Sequence, residues 1–146
     1  MIFLYNIKYK IKELSMLIND LVVLKNMLKD TKVGRMSNDG LRAYLKLSME
    51  LNKYSNEFES KRNDLIKEAV DNKGYDVNTI TQEQDREIWN IIAPILDEYL
   101  SGEVEVNTKV LTWNDLCDGI LNMPENDKLT FEVKSKLTEY LCSEEL

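Results

Sequence analysis

The chain of 146 residues contains no histidine. That absence removes Ser-His-Asp and Cys-His nucleophile pairs, His-containing zinc sites and the commonest general base near neutral pH. Its two cysteines, Cys117 and Cys142, are 25 positions apart, too few for a disulfide scaffold and poorly spaced for zinc. They read as partly buried thiols of a reducing compartment. Five glycines, none in a Gly-rich turn between a strand and a helix, leave neither a P-loop nor a dinucleotide fingerprint. Prolines number two, so little in the chain interrupts helices. No apolar run approaches the ~20 residues of a membrane span, and residues 1–9, broken by Asn6 and Lys8, lack the basic, apolar, small order of a signal peptide.

What is present is charge and helical periodicity. The net charge of −7 is unevenly spread: residues 1–75 hold 14 Lys/Arg against 10 Asp/Glu, whereas residues 76–146 hold 5 against 16. The halves are electrostatically complementary, which bears on assembly and partner choice and argues against nucleic-acid binding by the acidic half. A solvated acidic face is the plainer reading of the same charge.

Residues 1–9 alternate Phe3, Tyr5, Ile7 and Tyr9, a strand signature. From Ile7 the apolar spacing switches to four and three through Ile11, Leu14, Ile18, Leu21 and Leu28, predicting a helix that starts between Ile7 and Ile11, widened by Leu17 and Leu24. Residues 29–36 break the pattern at Gly34, and Ser37 or Asn38 can cap a second helix running to about Asp71. There Tyr44, Leu51, Phe58 and Leu65 recur every seven residues, with Leu41, Ser48, Ser55, Arg62 and Ala69 between them. Small Ser48 and Ser55 would admit Ile11, Ile18 and Leu21 of the first helix at close range. Glu50, Lys53, Glu57, Lys61 and Asp64 read as the solvated face.

Gly74 ends that helix, and residues 71–80 do not fit a calcium-loop pattern. Thr81 and Gln84 form a capping box for a third helix to Leu100, with Ile88, Ile91, Ile92, Ile95, Leu96 and Tyr99 on its buried face, a kink or break at Pro94 and a stop at Gly102. Residues 103–111 alternate as a strand, whose partner is either residues 1–9 or a hairpin return through Lys109–Leu111. A short helix opens at Thr112 and carries Leu116, Ile120 and Leu121. A last one spans residues 128–142 through Phe131, Val133, Leu137 and Leu141. Trp89 and Trp113 read first as core anchors, and as interface markers where exposed.

The fold expected is mainly α: a long antiparallel helical hairpin over residues 7–71, a third helix, a short β element at the N-terminus or in residues 103–111, and C-terminal short helices. One domain spans residues 1–146, with residues 76–146 as its acidic α/β half. The carboxylate neighbours Asp97 with Glu98 and Asp115 with Asp118 are the only residual metal or acid–base chemistry, and such pairs arise by chance among 26 acidic residues. The basic cluster Lys29, Lys32, Arg35, Arg42 and Lys46 reads as a solvated loop, since it lacks interleaved aromatics.

Three segments, KYKIKEL (8–14), FESKRNDLIKEAVDNKG (58–74) and EYLSGEVEVNTKVLTWNDL (98–116), in this order resemble small helical proteins encoded among the structural and tail genes of tailed bacteriophages and prophages. The likeness is one of layout over nearly the whole chain. It contains no catalytic motif and carries over no site residues, and the basic loop before Ser37 and the apolar start at residues 1–7 depart from it. It implies a non-enzymatic interaction protein without cofactor or metal, a virion-associated component or assembly factor of the bacterial host cytoplasm or the virion. Its partner would be a phage structural protein, or a second copy in a homo-oligomer, with neither membrane nor nucleic acid engaged. The alternative is an inhibitor of a bacterial defence nuclease, anti-CRISPR-like, whose acidic surface imitates nucleic-acid charge. Asp97, Glu98, Glu103, Glu105 and Trp113 are the candidate interaction residues for either reading.

Overall fold

The computed structural model describes residues 15–145, and its longest element is the helix α2, Asn38–Lys73. No proline interrupts these 36 residues, which at about 1.5 Å each span roughly 54 Å. Ser37 caps the start, its Oγ accepting the Gly40 N–H at 3.1 Å, and Asp39 and Lys73 complement the helix dipole at either end. Gly74 closes the helix at φ +70°, a conformation open to a residue without Cβ.

Along α2 lie two shorter helices, α1 (Ile18–Lys29) and α3 (Gln82–Leu100). α3 returns from the far end of α2: Lys73 pairs with Glu87 at 2.7 Å, Tyr75 Oη donates to the same carboxylate at 2.6 Å, and Phe58 stacks on Tyr99 with centroids 6.4 Å apart. Lys73 and Tyr75 together hold the Glu87 carboxyl below its ordinary range. α1 covers the near half. Its first N–H, on Ile18, donates to the Gly102 carbonyl at 2.9 Å, so α1 begins where α3 has just ended. The negative end of one helix dipole therefore faces the positive end of the other. No side chain caps α1 at Leu17, and the Gly102 carbonyl takes one of its free donors instead.

Short strands lock this junction. β1 (Ser15–Leu17) and β2 (Glu103–Glu105) pair antiparallel, Ser15 opposite Glu105 and Leu17 opposite Glu103. After β2 come α4 (Trp113–Leu116), which runs on into a π-helical turn at Cys117–Leu121, and α5 (Phe131–Leu141). Thr112 and Thr130 cap α4 and α5, and Leu111 is tied to the end of α5 by its N–H to Leu141 and its carbonyl to the Ser143 N–H.

Two hydrophobic clusters share α2. The larger joins Leu21, Leu24 and Leu28 of α1 and Tyr44, Leu47 and Leu51 of α2 to Leu111, Leu116, Ile120, Leu137 and Leu141. Each buried leucine contributes about 1.5–3 kcal/mol relative to exposure. The smaller sits between the distal half of α2 and α3: Ala69, Val70, Ile88, Ile92 and Leu96, flanked by Phe58, Leu65 and Ile66.

The mainly α architecture, the long helix with helical partners, the two-stranded sheet and the short C-terminal helices match the sequence expectation. Several details do not. Residues 15–17 form a strand rather than the middle of the first helix, because their backbone pairs with β2; the expected start between Ile7 and Ile11 and the strand over residues 1–9 lie outside the described residues. With α1 only twelve residues long, Tyr44 and Leu51 face it, while Phe58 and Leu65 pack with the cluster against α3. The buried ridge of α2 runs through Gly40, Tyr44, Leu47 and Leu51, leaving Leu41 exposed. β2 takes β1 as partner, and residues 109–111 do not return as a hairpin, since Leu111 bonds to α5. Of the kink or break expected at Pro94, the break does not occur: α3 runs on as one helix, Pro94 and Asn90 both lying on its exposed side where water can serve the freed carbonyl. Ile91, Ile95 and Phe131, read as buried, are exposed, and so are Trp89 and Trp113, which moves them from the core-anchor reading to the interface-marker one. The last helix begins at Phe131, because the Asn126 side chain holds the N–H groups of Lys128 and Leu129 in a turn.

The C-terminal part is fastened to α2 by Asp115. Its Oδ1 accepts the Ser37 N–H at 2.7 Å, and its Oδ2 accepts the Ser37 hydroxyl at 2.7 Å and the Thr112 hydroxyl at 3.3 Å. The carboxylate thus sits at the positive end of α2. The backbone and side-chain bonds from Ser37 hold its carboxyl below the ordinary range. A Cβ on Gly40 would run into this carboxylate. Gly40→Ala, normally worth up to about 1 kcal/mol to a helix, should therefore cost about 1–3 kcal/mol in urea unfolding. Because the Asp115 value is depressed on folding, its contribution is complete above the unfolded carboxylate range and lost as pH falls through the folded value. Thermal unfolding of Asp115→Asn should show a shallower decline than the parent between about pH 4 and pH 2.

Candidate interaction surface

Asp97 and Glu98 stand exposed on the last turn of α3, which has no basic residue. Carboxylates there oppose the dipole of α3, yet the positive start of α1 lies at the same junction and offsets this. The chain then turns through Ser101, whose hydroxyl donates to the Glu98 carbonyl at 2.7 Å, and enters β2. Strand alternation points Glu103 and Glu105 outward and tucks Val104 against the larger cluster. Asp97, Glu98, Glu103 and Glu105 are therefore all exposed within the nine residues over which α3 gives way to β2.

Near them, β1, β2 and α5 line a cleft of about 290 Å³ to which Asp20, Glu103 and Glu139 contribute acids and, among the described residues, Lys109 the single cation. Tyr140 donates to Asp20 at 3.4 Å across it, and burial, reinforced by Asp20, pushes the Tyr140 hydroxyl up. Asp20 and Glu139 carry no joint signal in the sequence, because 119 positions separate them and the packing of α1 against α5 is what brings both to one cleft.

Trp113 belongs elsewhere. Its backbone N–H donates to Glu144 at 3.2 Å, and its neighbour Asp115 touches Ser37 at the start of α2. Tyr99, next to Glu98 in the chain, stacks on Phe58, 21 residues beyond Ser37, so roughly 30 Å of α2 lies between the Trp113 end and the carboxylates.

The remaining chemistry is spoken for. Asp115 is bound to Ser37 and Thr112, and among the described residues no group of three or more His, Cys, Asp or Glu is placed to hold a metal. Burial, then Asp118, raises the Cys117 thiol above its ordinary value, keeping it protonated and a poor nucleophile; Cys142 is buried in the larger cluster. Lys29, Lys32, Arg35, Arg42 and Lys46 are all exposed around the start of α2, where Asp118 joins Arg35, Ser37 and Asn122 in lining a shallow cleft. No described helix is long and apolar enough to cross a membrane.

Apolar exposure is where sequence reading fell short. Trp89, Ile91 and Ile95 on α3 are 40–42% exposed, and Leu41, Leu45 and Met49 on α2 more so. Ile91 and Ile95 lie on one shoulder of the buried Ile88–Ile92–Leu96 stripe and Trp89 on the other, because two paired helices bury one stripe each and leave their shoulders open. Comparison of the chain with family models, curated proteins and solved structures gave no match.

Since the four carboxylates are all exposed, Glu103 accepting a surface bond from the Ser15 hydroxyl at 3.3 Å, the combined replacement Asp97→Asn, Glu98→Gln, Glu103→Gln and Glu105→Gln should shift unfolding free energy by less than about 0.5 kcal/mol per site. Chemical denaturation checks this and licenses the same variant as a clean binding probe.

Proposed function

We propose that the chain is a non-enzymatic, phage-encoded protein–protein interaction protein, a virion-associated component or assembly factor. The observation that carries it is the two-helix arm formed by α3 and the distal half of α2, whose shoulders present Trp89, Ile91 and Ile95 to solvent beside a completed core. Large side chains kept out of a core they could join are a liability that a bound partner removes. The layout shared with proteins of phage structural and tail genes supplies the kind of partner. Tagged chain recovered from phage-producing cells should carry phage structural proteins identifiable by mass spectrometry, and Trp89→Ser with Ile91→Ser should abolish their recovery while leaving the melting curve intact. Recovery unchanged by both replacements would remove the arm from the account.

A second reading, inhibition of a bacterial defence nuclease, is favoured by the four exposed carboxylates between the end of α3 and β2 and by the acidic cleft that Glu103 lines, which has room for a cationic side chain. Here binding should weaken steeply between low and physiological salt, and the four-carboxylate variant should lose it. An apolar arm interface should show neither response.

A further inference from the structure

We propose that the basic stretch KYKIK, residues 8–12, lies across the acidic cleft between β1, β2 and α5 and occupies it in the protein alone, so that any cationic partner of the cleft has to displace it. This stands apart from the arm and from both readings above, since it concerns what fills the cleft before a partner arrives.

The cleft is short of positive charge. Asp20 of α1, Glu103 of β2 and Glu139 of α5 line it, with Lys109 as the one counterweight among the described residues. The two ion pairs formed among those residues, Lys73 with Glu87 and Lys128 with Asp30, involve no acid of the cleft. Asp20 and Glu103 are met there by hydroxyls instead, Tyr140 at 3.4 Å and Ser15 at 3.3 Å. Three carboxylates gathered around one ammonium leave a negative potential that a further cation would relieve. Most of the chain cannot supply one, since from residue 15 onward it holds 16 Lys/Arg against 25 Asp/Glu. Residues 1–14 reverse that balance, with Lys8, Lys10 and Lys12 against Glu13 alone.

Attachment singles out this stretch among cationic occupants. Ser15, where it joins the described chain, is itself part of the cleft lining. Lys12 is three residues from Ser15 and Lys8 seven, which keeps them within about 11 Å and about 25 Å of the rim even at full extension. A group tethered so closely meets the cleft at an effective concentration of about millimolar, against which a second copy or a free peptide competes poorly. The pattern of residues suits the cleft as well as the charge does. Lys8, Lys10 and Lys12 alternate with Tyr9 and Ile11, so an extended stretch would turn ammonium groups to one side and apolar groups to the other. The lining offers both kinds of wall, the carboxylates on one hand and Met16, Val106 and the 37% exposed Leu17 on the other.

Carbodiimide coupling, which joins a lysine amine directly to a carboxylate it touches, tests the placement in the full chain at about 1 μM, a concentration at which weak contacts between chains are sparse. Peptide mapping should show links from Lys8, Lys10 or Lys12 to Asp20, Glu103 or Glu139, and in a mixture of isotopically labelled and unlabelled chains each link should join peptides of the same label. An absence of such links, links confined to acids outside the cleft, or links between labelled and unlabelled peptides would each overturn the proposal, the last by giving the cleft to a second copy. Displacement is tested with a dye-labelled tetralysine peptide at low salt. The full-chain variant Lys8→Gln, Lys10→Gln and Lys12→Gln should bind it about fivefold or more tightly than the parent, as expected of a site that is open about a fifth of the time or less in the parent. A variant of equal net charge altered at exposed sites around the start of α2, Lys29→Gln, Lys32→Gln and Lys46→Gln, should bind it like the parent. Equal affinity of the parent and the first variant, or an equal gain in both variants, would overturn the proposal.

Discussion

The Asp115 carboxylate at the start of α2 is the contact through which the two ends of the chain become one structure. It accepts the Ser37 N–H and hydroxyl, and through Ser37 it reaches Gly40. Helix starts are commonly finished by a local side chain; here a local Ser and a carboxylate 78 residues away finish the same one. Everything α4 and α5 contribute to the larger cluster, Leu116, Ile120, Leu137 and Leu141, is held in register with α2 by that tie. The π-helical turn after α4 belongs to the same arrangement: its Gly119 carbonyl accepts the Gly34 N–H at 2.7 Å, bringing the α1–α2 connection down onto it.

α2 itself acts as a spine. α3 and α1 lie end to end along it, and the Gly102 carbonyl bonded to the Ile18 N–H is the joint between them. Two separate clusters follow from this division, because each short helix buries its own stretch of spine. Among the described residues the near half shares its cluster with α1, α4 and α5, whereas the distal half shares its own with α3 and the turn before it. That difference in thickness puts apolar shoulders on the arm.

Local signals were read correctly where the chemistry was local. The Thr81–Gln84 capping box, the Ser37 cap and the Gly74 stop are each set by three or four neighbouring residues. Failures cluster where a distant segment decides. Residues 15–17 continue a perfectly good helical pattern, and only the backbone of Glu103–Glu105 makes them a strand. In α2 the heptad pattern gives Tyr44 and Leu51 of the buried ridge but sets Leu41 and Ser48 where Gly40 and Leu47 lie, because Gly40 offers no apolar signal, its importance arising from the Asp115 carboxylate above it. Asp115 looked like one of many chance acidic neighbours for the same reason. At the candidate surface, charged residues such as Glu103 and Glu105 were recognisable as outward-facing from alternation alone. Leu45 and Met49 were not, since an excess apolar stripe shows only once the buried one is known.

The joint at Gly102 also sets an order of events as the chain is made. α3 and the distal half of α2 are neighbours in sequence and can fold against each other as a hairpin as soon as both exist. α1, although made first, obtains the acceptor for its leading N–H only after residue 102 has been added, and β1 gains its partner at the same moment. The larger cluster waits longer still, for Leu137 and Leu141 near the end of the chain. α1 is therefore among the last parts to become secure, and a chain cut short before Asp115 would keep the contacts of the arm and lack those of the base.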